Sequence, residues 1–211
     1  QSDYLSECHA ITTELAYASG FSLPRWQVGL SVMLEKVPGN SLAEKLRAIL
    51  LMEADFNFAN RLFFNVRMMQ KAEQSGQLPE ELYGGRNGHE AQEVAVNRRI
   101  TADIARQSRM PIAIASVDAQ SCYDRISHSI ASICCQRWGV GANLLTTMLT
   151  TIQQMQYHLR TAFGDSVETY GGSLEEPFQG ACQGNPAAGA LWLAVSSALV
   201  TAQHNQGHVA T

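Results

Sequence analysis

Residues 111–128 read Pro-Ile-Ala-Ile-Ala-Ser-Val-Asp-Ala-Gln-Ser-Cys-Tyr-Asp-Arg-Ile-Ser-His, and they form the most informative stretch of the chain. The first seven, 111–117, are almost all apolar, which is typical of a short strand buried on both faces. The run ends at Asp118, and a helical spacing of apolar residues begins soon afterwards. We therefore predict that Asp118 ends a central strand of an antiparallel sheet, beside a hairpin at 157–170.

The residues on either side of this stretch predict a fold of the α+β class, because helices and strands do not alternate regularly. Apolar residues at helical spacing favour helices, and alternating apolar residues favour strands. Glycine, proline and asparagine mark the turns between them. The predicted elements are helices at 2–19, 53–76, 89–108, 127–138, 142–155 and 186–204, strands at 26–34, 46–52 and 111–117, and a hairpin at 157–170 that turns at Gly164-Asp165.

Composition limits the kinds of protein that this chain can be. With 211 residues, 45% of them hydrophobic, the chain can bury one substantial core or a core with a smaller lobe. The net charge of −4 provides no overall positive field, so any binding to nucleic acid must depend on a local site. The five cysteines show no zinc-binding spacing and fit free thiols in a reducing compartment. We expect an intracellular, soluble protein with no membrane partner.

The carboxylate of Asp118 is a candidate ligand for a hard cation. A carboxylate at the end of a buried strand, followed at once by a turn, is rigid and open to water. Magnesium prefers such oxygen ligands and keeps part of its water shell. The alternative is that Asp118 and Asp124 only cap the helix that follows, as aspartates near helix starts often do.

A second candidate is the glycine-rich stretch Gly180-Ala181-Cys182-Gln183-Gly184-Asn185-Pro186, which opens an apolar helix. Glycine lets the backbone approach a ligand closely, and the amide of Gln183 offers both a donor and an acceptor. Taken alone, this pattern is also typical of an ordinary turn before a helix. Its meaning therefore depends on the stretches that accompany it.

Several stretches in this order resemble the reverse transcriptases of retrotransposons, group II introns and related non-LTR elements. Asp118-x-x-x-x-Tyr123-Asp124 resembles their first palm motif, and Gln183-Gly184-Asn185-Pro186 their second. Lys36 and the segment 45–50 are similar to their basic fingers hairpin. The stretches 83–88 and 160–166 resemble a glycine-arginine segment and a hairpin of the same family. The resemblance extends over about residues 26–200.

The resemblance implies a polymerase active site that uses two magnesium ions to transfer deoxynucleotides to a primer 3′-hydroxyl. Asp118 would be the catalytic residue and would bind both ions, with the backbone carbonyl of Ala119 as a further metal ligand. Tyr123 would lie under the sugar of the incoming nucleotide and exclude a 2′-hydroxyl. The alternative for Tyr123 is a core aromatic.

The remaining nucleotide-binding residues implied by the resemblance are Lys36, Arg47, Gln183 and Gly184. Lys36 and Arg47 would hold the phosphates, for which a point charge and a planar guanidinium are both suited. Gln183 and Gly184 would face the base pair. A solvated basic strand edge is the alternative for the two cations.

The resemblance divides the chain into a fingers region with an N-terminal helix at 1–110 and a partial palm at 111–211. The family's third palm motif contains Asp-Asp, yet none of the 28 residues after Gln183 (211 − 183) is acidic. We therefore expect a fragment that is inactive alone, from an enzyme whose partners are an RNA template, a DNA primer and dNTP. The alternatives are a palm remnant that binds only nucleic acid or a protein, and an RNA-dependent RNA polymerase, against which Tyr123 argues.

Overall fold

Helices form most of the regular structure, which we describe from a computed structural model for residues 2–40 and 42–207. Short 3-10 turns occupy Pro24–Gln27, Ala43–Lys45 and Cys122–Arg125. The other elements, in chain order, are α1 (Asp3–Ser19), β1 (Val28–Glu35), β2 (Leu46–Leu51), α2 (Ala54–Asn60), a π-helical segment (Arg61–Met68), α3 (Met69–Gln74), α4 (Ala91–Gln107), α5 (His128–Arg137), α6 (Ala142–Gln153), β3 (Gln156–Thr161), β4 (Gly164–Gly171) and α7 (Ala188–Asn205).

The four strands form one mixed sheet in the order β2-β1-β3-β4. β1 pairs antiparallel with β2, and β3 pairs antiparallel with β4, as the two predicted hairpins require. Between them β1 and β3 run parallel, with Leu30 opposite His158. The α+β class is therefore confirmed, while the prediction of a purely antiparallel sheet is wrong. The second hairpin turns at Ala162-Phe163, two residues before the predicted position.

The predicted central strand at 111–117 is not formed. Every residue from 111 to 120 is exposed, and within the described residues none of them takes part in a backbone hydrogen bond. A strand needs a partner for its N–H and C=O groups, and none of the four strands of the sheet pairs with this segment. Asp118 therefore lies in an exposed connection between α4 and α5 and does not end a strand.

Amide hydrogen exchange should distinguish a paired strand at 111–117 from an exposed connection. Amides at 112–117 should exchange at least about a hundredfold faster than those at 30–32, because β1 is bonded on both sides and the connection is not. Exchange followed by NMR or mass spectrometry makes the comparison. Protection at 112–117 as strong as in β1 would mean that this segment is paired after all.

The predicted helices are confirmed apart from one irregularity. α1 ends at Gly20, whose φ of +77° is the left-handed conformation that glycine adopts at helix ends. The helix predicted over 53–76 is interrupted by the π-helical segment, which begins directly after Asn60. Such segments are rare and often occur near functional sites.

The hydrophobic core joins the sheet to the helices and draws side chains from both the 1–110 and the 111–211 segments. Trp26, Phe56 and Phe64 come from the first segment, and Met148 and Tyr157 from the second. All five are fully buried. One continuous core therefore joins the two segments.

Candidate nucleotide-binding cleft

An open cleft of about 470 Å³ lies where β2, the turn after Asp118 and the start of α7 meet. These three stretches are far apart in sequence and are brought together by the sheet and the core. The residues that line the cleft are Arg47 and Ile49 from β2, Ala119, Ser121, Cys122 and Tyr123 from the turn, Gln183, Gly184 and Asn185 from the loop before α7, and Ala188 and Gly189 from the first turn of α7.

The Gln183-Gly184 loop is held against β2 by its backbone. The N–H of Leu50 donates to the carbonyl of Gln183 at 2.7 Å. Gly184 has a φ of +123°, and a Cβ atom on it would lie 2.2 Å from the carbonyl oxygen of Leu50. A side chain at position 184 would therefore push the loop off the strand. The requirement for glycine here follows from close packing as well as from backbone conformation.

The turn that carries Tyr123 is joined to the same loop. The N–H of Ala181 donates to the carbonyl of Tyr123 at 2.7 Å. Gly180 has a φ of +80°, and a Cβ atom on it would lie 2.6 Å from the Cα atom of Asp124. The walls of the cleft therefore meet backbone to backbone, and their spacing is fixed.

His128 supports this junction from inside the protein. Its Nε2 lies 2.6 Å from the carbonyl oxygen of Gly180, and its Nδ1 lies 3.0 Å from Nε2 of Gln153. A carbonyl oxygen only accepts, so Nε2 of His128 donates to Gly180 and Nδ1 accepts from the Gln153 amide. The imidazole of His128 is buried and fixes the position of the Gly180 carbonyl.

Cys182 precedes Gln183 and has a φ of +64°, which is rare for a residue other than glycine. Its thiol is buried and accepts a hydrogen bond from the hydroxyl of Tyr157 at 3.4 Å. Burial raises the pKa of the Cys182 thiol to about 11. The thiol therefore stays protonated at neutral pH and acts as a packing partner, while the strained backbone turns the chain into the Gln183-Gly184 loop.

Five of the residues singled out from the sequence share this cleft. Their grouping is independent of the predicted strand at 111–117, since that strand is not formed. The other two lie outside the lining: Lys36 is exposed just beyond the end of β1, and Asp118 is exposed next to Ala119. The five residues that line the cleft are Arg47, Ala119, Tyr123, Gln183 and Gly184.

The cleft is suited to an anionic ligand with an apolar part. Among the described residues that line it, Arg47 alone is charged. Ala188 and Gly189 belong to the first turn of α7, the end of the helix that carries partial positive charge. The N–H of Ala188 already donates to the carbonyl of Asn185 at 3.0 Å, so this charge acts through the helix dipole. A Cβ atom on Gly189 would meet nothing within 4 Å, so this turn is open towards a ligand. Tyr123 supplies a partly buried aromatic surface.

The described residues do not fit a complete magnesium site. Within 2–40 and 42–207, no three His, Cys, Asp or Glu side chains are grouped so that they could hold a metal ion. Asp118 and Asp124 are both exposed. The described residues therefore supply only part of the ligand set that two magnesium ions would need.

Sequence reasoning missed two residues of this region. Asn185 is buried at the floor of the cleft, and Asn60 contacts it from the end of α2. The available signal for Asn60 was its spacing of three or four residues from Phe56, Phe63 and Phe64 in the helix predicted at 53–76. Asn185 belongs to the glycine-rich stretch, where the sequence indicates a turn and gives no sign of the contact with Asn60.

No known protein-family model matches this chain, and no curated protein matches it either. Over the part of the chain that the structure describes, no helix is both long and apolar enough to cross a membrane. These comparisons therefore show no family for the chain, and the resemblance rests on its motifs.

Proposed function

We propose that this chain is part of a reverse-transcriptase-like polymerase and that its cleft binds the incoming deoxynucleoside triphosphate. One observation carries the proposal. The stretches that resemble three separate reverse-transcriptase motifs contribute Arg47, Tyr123 and the Gln183-Gly184 loop to the same cleft. Chance resemblance of short motifs gives no reason for their side chains to meet.

Each part of the cleft has a role in this proposal. Arg47 and the first turn of α7 bind the phosphates, because a guanidinium and a helix N-terminus both attract anions. Tyr123 packs against the sugar, and the Gln183-Gly184 loop lies along the base. Asp118 and the carbonyl of Ala119 are the proposed magnesium ligands. They do not form a complete site among the described residues, and we derive no catalytic step through the ions.

The proposal predicts that the chain binds a deoxynucleoside triphosphate and that Arg47→Gln weakens binding at least about tenfold. Loss of one charge-assisted contact to phosphate accounts for an effect of this size. Titration calorimetry with dATP measures the dissociation constant directly. Arg98→Gln is the matched control, because Arg98 is an exposed cation on α4 outside the cleft.

Lys36→Gln tests the other predicted phosphate contact in the same assay. A weaker affinity in this variant would mean that the β1–β2 hairpin closes over the bound phosphates. The proposal fails if the unaltered chain shows no affinity for dATP, or if Arg47→Gln and Arg98→Gln bind it equally well.

A further inference from the structure

A chain of buried polar side chains leads from α1 to the floor of the cleft. The hydroxyl of Tyr17 donates to Oδ1 of Asn60 at 2.8 Å. Nδ2 of Asn60 then donates to Oδ1 of Asn185 at 3.3 Å. Tyr17, Asn60 and Asn185 are 2%, 0% and 5% exposed, so water does not compete for these bonds.

The order of donors and acceptors in this hydrogen-bonded series is set at its cleft end. Oδ1 of Asn185 also accepts the backbone N–H of Ala187 at 3.0 Å. A backbone N–H can only donate, so the amide oxygen of Asn185 must face it. Asn60 must therefore present its NH₂ group to Asn185 and its oxygen to Tyr17. Only one arrangement of the two amides satisfies all three bonds.

An apolar side chain at position 60 would need no hydrogen-bond partner in the core, so its burial would carry no cost of unmade bonds. Polar groups buried among apolar residues are costly, and a hydrogen-bonded network among them fixes their arrangement. Both polar atoms of the Asn60 amide and Oδ1 of Asn185 are bonded, while Nδ2 of Asn185 has no partner among the described residues. Asn60 adds no charge to the cleft and does not line it. What its amide contributes is a defined position for Asn185, which directly follows Gly184.

We propose that Asn60 is a positioning residue for the Gln183-Gly184 loop, acting through Asn185. The loop then has two anchors: Leu50 holds the carbonyl of Gln183 from the sheet side, and Asn60 holds Asn185 from the helix side. Without the second anchor, the loop and the first turn of α7 lose their fixed relation to Arg47. The effect on nucleotide affinity rests on the proposed function, whereas the effect on the loop does not.

Asn60→Leu tests the inference, since it keeps the branched shape of the side chain and removes both hydrogen bonds. It should weaken binding of dATP about fivefold to tenfold. Phe64→Leu is the matched control, because Phe64 is fully buried in the adjoining π-helical segment and has no contact of this kind. It should lower thermal stability and leave the affinity for dATP unchanged at a temperature well below unfolding.

Coupling between the two asparagines separates positioning from general destabilisation. In an Asn185→Ala background, Asn60→Leu should have no further effect on affinity. Unchanged affinity in Asn60→Leu, an equal loss in Phe64→Leu, or an undiminished effect in the double variant would each overturn the inference.

A second measurement is independent of any ligand. Amide exchange at Asn185, Ala187 and Ala188 should be at least fivefold faster in Asn60→Leu than in Phe64→Leu. If the unaltered chain does not bind dATP but this difference appears, the proposed function fails and the positioning role stands. If dATP binds and the exchange rates are equal, the positioning role fails alone.

Discussion

Gly184→Ala should lower the free energy of unfolding by about 3 kcal/mol, the upper range for overpacking combined with an unfavourable backbone conformation. The added Cβ atom would lie 2.2 Å from the carbonyl oxygen of Leu50, which is backbone and cannot rotate away. The φ of +123° adds strain for any residue with a side chain. Denaturation by urea, followed by circular dichroism, gives the difference.

Gly189→Ala is the matched control for this substitution. A Cβ atom at position 189 meets nothing within 4 Å, and the residue lies in the first turn of α7. Alanine favours a helix over glycine by up to about 1 kcal/mol, so this variant should be as stable as the original or slightly more stable. Equal stability of the two variants would mean that the loop does not pack on β2 as described.

Gly184→Ala should affect ligand binding as well as stability, because Gly184 lines the cleft. Gly184 is held between Gln183, which is bonded to β2, and Asn185, which is bonded to Asn60. Displacement of Gly184 therefore disturbs both anchors of the loop. We expect any Gly184→Ala protein that remains folded to bind dATP more weakly than the unaltered protein.

Elements with a local signal were predictable from the sequence. The helices and the β1–β2 hairpin follow from the spacing of apolar residues and from turn residues such as Pro38 and Gly39. Gly39 has a φ of +82°, as a turn glycine often does. Such signals depend on residues close in sequence, so they do not require knowledge of contacts between distant segments.

Pairing between distant segments was not predictable in the same way. The run at 111–117 has the composition of a buried strand, yet composition does not supply a neighbour, and none of the four strands of the sheet pairs with this run. The contact between Asn60 and Asn185 joins residues that are 125 positions apart. No periodicity reports such a contact, although the residue types on the cleft walls were identified from their motifs.

Tyr123→Ala should reduce the preference of the cleft for dATP over ATP about tenfold, mainly through tighter binding of ATP. Tyr123 lines the cleft, and the backbone bond from Ala181 at 2.7 Å fixes the position of its turn. In the proposed arrangement its ring fills the space that a 2′-hydroxyl would need. Removing the ring opens that space, so the penalty against the ribonucleotide falls.

The informative quantity is the ratio of the dissociation constants for ATP and dATP, measured on the same preparation. Tyr123→Phe keeps the ring and loses only the hydroxyl, so it should retain the original ratio. If Tyr123 is instead a core aromatic, Tyr123→Ala should lower the free energy of unfolding and leave the ratio unchanged. If the unaltered protein binds ATP more tightly than dATP, the result would favour a ribonucleotide polymerase. The ring of Tyr123 would then not be placed against the sugar.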